Sequence, residues 1–306
     1  MSASFAPEDC CVGLVGYGEV GRILAEDLRA GGVARVAACD IKLGTDKEPP
    51  LREHAQRFGV ALTASHAELA SGADLVLSAV TASQTIAVAE ATAPAIRKDT
   101  WFLDFNSASP GAKKRAAALI DGNGGRFVEA AVMTSIPPYR IRVPMLLGGA
   151  HAQAIKPLLD GLGFAAKVAS GQLGVVSATK MCRSVMIKGL EAMVIESFTA
   201  ARAYGVQDAV LASLEETFPG VDWEKQGTYF FERAIKHGRR RAEEMVEAAA
   251  TVRDIGLEPW SAAGTAKRQA FIADLVDSGA FGDPKAPRED WRLDADRLLA
   301  AIARKN

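Results

Sequence analysis

The chain has 306 residues, enough for two domains of roughly 100–200 residues each. Hydrophobic residues make up 49% and charged residues 24%, a globular balance that excludes disorder over most of the length. Lys plus Arg total 36 and Asp plus Glu 37, a formal charge of −1, so no basic excess points to nucleic acid. No stretch approaches the roughly 18 apolar residues of a spanning helix, and MSASFAPEDC lacks the basic start of a secretory signal. Cys10, Cys11, Cys39 and Cys182 show no metal-ligand spacing and read as free thiols of a cytoplasmic protein.

In chain order, CVGLVG reads as a buried strand and GEVGRILAEDLRAG as an amphipathic helix ending at a glycine pair. ARVAACD is a second strand, and IKLGTDKEPP has the turn chemistry of a surface loop. ADLVLSAV and TWFLDF are further buried strands, separated by an Ala-rich helix around 83–97. RFVEAAV and VPMLLGG are two more strands, and AIKPLLDGLGF a short helix. Continuous apolar strands alternating with helices predict a parallel sheet covered on both faces. From Val175 to Tyr204 runs one long helical stretch. After it VQDAVLASLEETF, WEKQGTYFFERAIKHG, RRRAEEMVEAAATVRDIG, WSAAGTAKRQAFIADLVDSG and DWRLDADRLLAAIARK all read as helices. The expected class is α/β: an N-terminal doubly wound, Rossmann-type domain over 1–170, a long inter-domain helix, and an all-α domain over 171–306.

Gly16-Tyr17-Gly18-Glu19-Val20-Gly21 fits G-x-G-x-x-G. The pattern is weak alone, but here it follows a strand, opens a helix, and is followed by Asp40 closing the second strand. The first glycine permits the tight turn, the second lets a pyrophosphate approach the backbone, and the third allows close helix–strand packing. The helix N-terminus offers N–H groups and positive dipole to phosphate. Asp40 can accept both ribose hydroxyls, whereas a 2′-phosphate there would meet like charge, so NAD is expected over NADP.

On these residues the chain resembles the β-hydroxyacid dehydrogenase superfamily, which includes 3-hydroxyisobutyrate and 6-phosphogluconate dehydrogenases. DFNSASP (104–110) is similar to its D-x-S-T-x-x-P element, and EAAVMTS (129–135) stands in the place of D-A-P-V-S-G-G. Lys180 with Ser184 stands in the place of K-x-x-x-N. HGRRRAEEM and the Trp260 helix look most like a subgroup with a variant, phosphogluconate-dehydrogenase-like C-terminal domain. The departures fall on the substrate side: Ser184 for Asn, Met133-Thr134-Ser135 for Ser-Gly-Gly, and Asn106 for the first Ser.

The resemblance implies an enzyme that oxidises the hydroxyl of a small β-hydroxy carboxylate, or reduces the oxo acid, with Lys180 as general acid/base. A lysine at its usual pKa of about 10.4 is a poor base at neutral pH, so burial or a neighbouring cation must lower it. Arg183 is a candidate for that role or for the substrate carboxylate, and Ser184 for the substrate oxygen. The resemblance further implies Val80 and Thr81 beside the nicotinamide, and Thr85 and Ser107 near the cofactor ribose. Asn106, Thr134 and Ser135 are substrate candidates, and so are His237 and Arg240 from the helical domain. Arg140 and Arg142 either add positive charge or belong to a solvated loop. Glu191 reads as structural, and Ile187 stands where decarboxylating relatives carry an acid, which favours simple oxidation. Family members commonly pair their helical domains, so a homodimer or higher even oligomer is expected, with Trp223, Tyr229, Phe230 and Phe231 as anchors or as an internal core. Two other readings stay open: an imine reductase, against which Lys180 argues, and a non-catalytic NAD-binding regulator.

Overall fold

The computed structural model describes residues 7–304. The chain divides into two compact units, Met1–Met181 and Cys182–Asn306.

The first unit is built on β1 (Cys11–Val15), α1 (Glu19–Ala30), β2 (Arg35–Cys39), α2 (Pro49–Phe58), β3 (Val60–Leu62), α3 (His66–Gly72) and β4 (Leu75–Ser78). It continues with α4 (Thr85–Thr92), β5 (Trp101–Asp104), α5 (Pro110–Gly122), β6 (Arg126–Val132), β7 (Met145–Gly148), α6 (Ala152–Gly161) and β8 (Ala166–Ser170). Among the described residues these strands make one eight-stranded sheet in the order β3-β2-β1-β4-β5-β6-β7-β8. Strands β1 to β6 pair in parallel, as the apolar runs predict. The sheet is mixed, however, because β7 runs antiparallel to β6. The chain returns between them through a loop with no crossover helix, and a direct return gives an antiparallel pair.

Both faces of the sheet are covered. Leu24, Ala25 and Leu28 of α1, Leu51 of α2 and Ile155 of α6 pack on one face with Val12 and Leu14. Leu69 of α3, Val88 of α4 and Ile120 of α5 pack on the other with Val15, Val76, Phe102 and Phe127. Each such Val, Leu, Ile or Phe side chain, fully withdrawn from water, contributes about 1.5–3 kcal/mol.

Local chemistry starts the helices. Ser109 caps α5 by accepting from the Ala112 N–H at 3.3 Å, with Pro110 at the first position. Ser65 accepts from Glu68 N–H at 3.1 Å to open α3. The elements that hydrophobic patterning leaves open are α2, β3, α3 and β8. They are short, and β8 alternates half-buried and exposed positions at the sheet edge, so no apolar run marks it.

The helix α7 (Val175–Tyr204) carries the chain from one unit into the other; its 30 residues extend about 45 Å. The second unit holds the rest of α7 with α8 (Gln207–Thr217), α9 (Trp223–Arg253), α10 (Trp260–Asp277) and α11 (Trp291–Ala303). Sequence patterning predicts two helices over 223–256, but α9 is continuous through Gly238. A Cβ at that glycine would lie 2.8 Å from the Gln269 carbonyl oxygen on α10. Gly238 is therefore a point of close helix approach rather than a break.

Trp223, Phe230 and Phe231 are 5%, 6% and 1% exposed, inside a core with Phe198, Leu211, Ile272, Trp291 and Leu298. Three of the four aromatic residues read as candidate oligomer anchors thus form the internal core, and only Tyr229 is exposed. The apolar side chains exposed on this unit are others, among them Met186, Met193, Val246 and Trp260.

Candidate functional site

The order of the sheet places a topological switch at β1 and β4, from which the chain proceeds to opposite edges. Ligands of doubly wound sheets bind at the carboxyl ends of such strands. Gly16 to Val20 follow β1, Asp40 follows β2, Val80 and Thr81 follow β4, and Asn106 and Ser107 follow β5. The fold gathers these cofactor and substrate candidates at one edge, with Thr134 and Ser135 exposed just after β6.

The three fingerprint glycines have separate steric reasons. Gly16 takes φ +92, a conformation L side chains rarely adopt, and a Cβ there would stand 2.5 Å from the Ala79 carbonyl oxygen. A Cβ on Gly21 would stand 2.0 Å from the Gly16 carbonyl oxygen, so α1 can pack this close only without one. At Gly18, the N-cap of α1, a Cβ would meet nothing within 4 Å beyond its own neighbours in the chain. The open space beside a helix N-terminus is the cradle that a pyrophosphate requires. The residues present fit a dinucleotide.

Asp40 completes this arrangement. Its Oδ2 accepts from Tyr17 N–H at 2.7 Å, and its Oδ1 from Lys42 N–H at 2.9 Å. The carboxylate is thus oriented at the end of β2 by the fingerprint turn itself. Ile41, 77% exposed, follows it.

Two of the candidates have their side chains bonded within the protein. Asn106 is buried, its Oδ1 accepting from Val80 N–H at 2.8 Å and its Nδ2 donating to Ser78 Oγ at 2.9 Å. Its amide is engaged in tying the β4 and β5 ends together, which positions Val80. Thr85 is buried, and its hydroxyl donates to the Ala82 carbonyl at 2.9 Å inside the start of α4. Thr81 remains exposed, with Oγ1 3.1 Å from Ser83 Oγ.

Arg140 is no free cation. Its guanidinium donates to Asp27 at 2.8 Å and Glu26 at 2.6 Å, and Ile141 N–H donates to Asp27 at 2.9 Å. The same Glu26 contacts His54 Nε2 at 2.9 Å, whose Nδ1 lies 2.8 Å from the Tyr17 hydroxyl. The His54 ring and the Arg140 guanidinium hold the Glu26 carboxyl below its ordinary range. Burial pushes the Tyr17 phenol up to about 12, so it stays protonated. One chain of contacts therefore joins the fingerprint turn, α1, α2 and the loop after β6.

In the helical unit, Ser184, His237 and Arg240 belong to one charged cluster. Ser184 is buried and its Oγ lies 3.1 Å from Lys188 Nζ, which pairs with Glu244 at 2.7 Å. Arg240 approaches the other oxygen of Glu244 at 3.4 Å. Beside them Arg241 pairs with Glu191, which also accepts from Gln269 at 3.2 Å. Both carboxylate oxygens of Glu191 are engaged in these contacts. Burial lowers the Lys188 pKa, and the Glu244 carboxylate opposes that. Arg183 is exposed on α7, and Lys180 is half-buried. Sequence reading missed Lys188 and Glu244 as members. The available signal was Ser184, Lys188 and Glu191 at helical spacing on one face of α7, matched by charges at the same spacing in α9.

His237 is half-buried. Burial, reinforced by Arg233, Arg240, Arg241 and Lys236, lowers its pKa from 6.5 to about 4. Among the described residues no group of three or more His, Cys, Asp or Glu side chains could hold a metal ion, and no helix is long and apolar enough to cross a membrane.

Two family models match parts of the chain: NADP oxidoreductase coenzyme F420-dependent over residues 11–107, and a domain of unknown function (DUF1932) over 201–272. A conserved hypothetical protein from Sinorhizobium meliloti is 35% identical, with a TM-score of 0.73 covering 95% of this chain and 96% of that one. A conserved protein described as structurally similar to 3-hydroxyacid dehydrogenases is 29% identical, with a TM-score of 0.64 over 88% of this chain and 98% of its own. Mitochondrial 3-hydroxyisobutyrate dehydrogenase of Drosophila melanogaster is 27% identical over 69% of this chain and 64% of its own length. An imine reductase from Myxococcus stipitatus in complex with NADP+ shares the fold at 15% identity, with a TM-score of 0.52 over 94% of this chain and 99% of its own.

The environment of His237 has a measurable consequence. In the unfolded chain its imidazole binds a proton as pH falls through about 6.5, but in the folded unit only near 4. Its contribution to stability is complete above the unfolded value and is lost as pH falls towards 4. The drop in Tm between about pH 7 and pH 4.5 is expected to be smaller in His237→Gln than in the wild type. An equal or larger drop in the variant would show that His237 titrates normally.

Proposed function

The chain belongs to the β-hydroxyacid dehydrogenase superfamily, and on that premise we propose that it is a nicotinamide-dependent oxidoreductase acting on a small β-hydroxy carboxylate. The observation that carries this reading is the fingerprint turn: an open N-terminus of α1 at Gly18, with the Asp40 carboxylate held beside it by Tyr17 N–H. When bound, the nicotinamide supplies a hydride acceptor or donor. The protein must then move the hydroxyl proton, and Lys180 is the residue assigned to that task. Its place in K-x-x-x-N, with serine in the place of Asn, supports the assignment. Thr134 and Ser135 are assigned to the substrate after β6, where the loop is tied back to α1 through Arg140. Arg183, Ser184, His237 and Arg240 are the assigned positive and polar contacts of the helical unit. NAD is proposed over NADP because Asp40 would repel a 2′-phosphate. The proposed assembly is a homodimer or higher even oligomer of a cytoplasmic enzyme.

Three measurements test these points. A panel of 3-hydroxyisobutyrate, 3-hydroxypropionate and L-serine with NAD, followed by NADH absorbance, should yield turnover. Lys180→Met should then lose at least about 10²-fold in kcat while binding NADH normally. Turnover of Lys180→Met within a few-fold of wild type would remove the lysine from its role, and no turnover across the panel would favour a regulator or an imine reductase. With the best substrate, kcat/KM should be higher for NAD than for NADP; the reverse order would mean that Asp40 does not face the ribose. Light scattering behind a sizing column should give at least twice the chain mass. A monomer with full activity would show that each chain builds its own site.

A further inference from the structure

The N-terminus of α7 has an unusual partner. Helix starts expose N–H groups that a local Ser, Thr, Asp or Asn normally accepts. The residues leading into α7 are Gly171-Gln172-Leu173-Gly174, which supply no such cap. The acceptor comes instead from 45 residues earlier, in the middle of the sheet. Glu129 of β6 is fully buried; its Oε1 accepts from Gly174 N–H at 2.8 Å and Val176 N–H at 3.2 Å, and its Oε2 from Ser177 N–H at 3.2 Å. Charge-assisted bonds of this kind are about twice as strong as neutral ones, and the carboxylate also meets the positive end of the helix dipole.

The fold keeps space for this contact. Glu129 pairs in register with Gly148 of β7. A Cβ on Gly148 would stand 2.5 Å from Glu129 Oε1 and 2.9 Å from Val176 Cγ2. A local cap stabilises a helix wherever it lies, whereas a cap donated by a strand also fixes the helix to the sheet. Lys180 follows Val176 by four residues, about one helical turn. In the other direction β6 runs from Glu129 to Val132 and then into Thr134 and Ser135. One carboxylate thus ties the strand bearing the substrate loop to the helix bearing the lysine.

We propose that Glu129 is a positioning residue for Lys180, its buried carboxylate setting the height and rotation of the first turns of α7. The inference rests on the proposed role of Lys180 in proton transfer. In Glu129→Gln one oxygen becomes an NH2 that faces backbone donors, at nearly constant shape. In Glu129→Asp the charge stays but falls short by one methylene.

The full chain is tested in two ways. Amide hydrogen exchange of the peptide spanning 173–181 should be at least about tenfold faster in Glu129→Gln than in wild type; unchanged exchange overturns the proposal. Turnover is then compared among wild type, Glu129→Gln, Lys180→Met and the double variant, with the best hydroxy acid of the panel above at saturating NAD. A misplacement of about 1 Å costs up to about 10²-fold. Glu129→Gln is therefore expected to lower kcat about 10- to 100-fold, with KM for NAD within about twofold. Glu129→Asp should recover part of the loss. In the Lys180→Met background the same substitution should cost less than about twofold, because a misplaced base that is already absent cannot be lost again. Full additivity, or wild-type kcat in Glu129→Gln, overturns the proposal while leaving the lysine assignment standing. Wild-type turnover in Lys180→Met overturns both. Gly148→Ala, which crowds the carboxylate without removing it, should reproduce the exchange and turnover effects if Glu129→Gln does not fold.

Discussion

A single buried carboxylate organises the passage from the sheet to the long helix. Glu129 lies in β6, and backbone N–H groups of the α7 N-terminus converge on its two oxygens. An ionised group withdrawn from water is tolerated only where donors replace its hydration, and a helix N-terminus supplies them in a fixed array. The neighbouring strands conform to this contact. Gly148 leaves the room it requires, and Val176 packs against the same position. A second buried charge close by follows the same rule. Asp104 ends β5 and pairs with Lys113 at 3.1 Å, while its Oδ1 accepts from Asn106 N–H at 2.9 Å. Burial pushes the Asp104 carboxyl above its ordinary value, with the Lys113 ammonium opposing the shift.

The carboxyl edge of the sheet is held by polar contacts between segments distant in sequence. Tyr17 spans two of them: its N–H orients Asp40, and its hydroxyl meets His54, which continues through Glu26 to Arg140. Asn106 does the same between the ends of β4 and β5. The result is a hydrogen-bonded rim around the fingerprint turn, and groups held in place by such bonds lose less entropy when a ligand binds.

The helical unit solves a different problem. Its apolar core is built on Phe198, Phe231 and Trp291, with the Phe198 and Trp291 rings 4.8 Å apart. Next to that core lies a buried polar layer of Lys188, Glu191, Arg241 and Glu244. Buried ion pairs add little net stability against apolar replacements, but removing one partner is costly. The layer therefore fixes which face of α7 meets which face of α9. Arg233 and Arg240 add positive charge to the layer, and His237 remains neutral beside them at neutral pH.

The sequence alone determined whatever depends on neighbours in the chain. Gly16, Gly18 and Gly21 are required by the geometry of one turn, and Asp40 closes the very next strand, so the dinucleotide fold was legible from spacing. The limits of α7 were legible because a run rich in helix formers, with no proline and one glycine, extends from Val175 to Tyr204. Tertiary structure decided whatever depends on partners far along the chain. Nothing in the local sequence distinguishes Gly238 as a contact with Gln269 from Gly238 as a helix end. Trp223, Phe230 and Phe231 carry an apolar pattern that suits an interface as well as a core, and only packing turned them inward. The resemblance assigns Asn106 and Thr85 to ligand, and Arg140 reads either as added charge or as part of a solvated loop; only the tertiary structure shows their side chains bonded to Val80, Ala82 and Asp27. In the sequence Glu129 is part of an apolar strand and the first residue of EAAVMTS, with no partner indicated. Its role appears only when Gly174, 45 residues on, returns to meet it, because hydrogen bonds across the sheet follow topology rather than chain order.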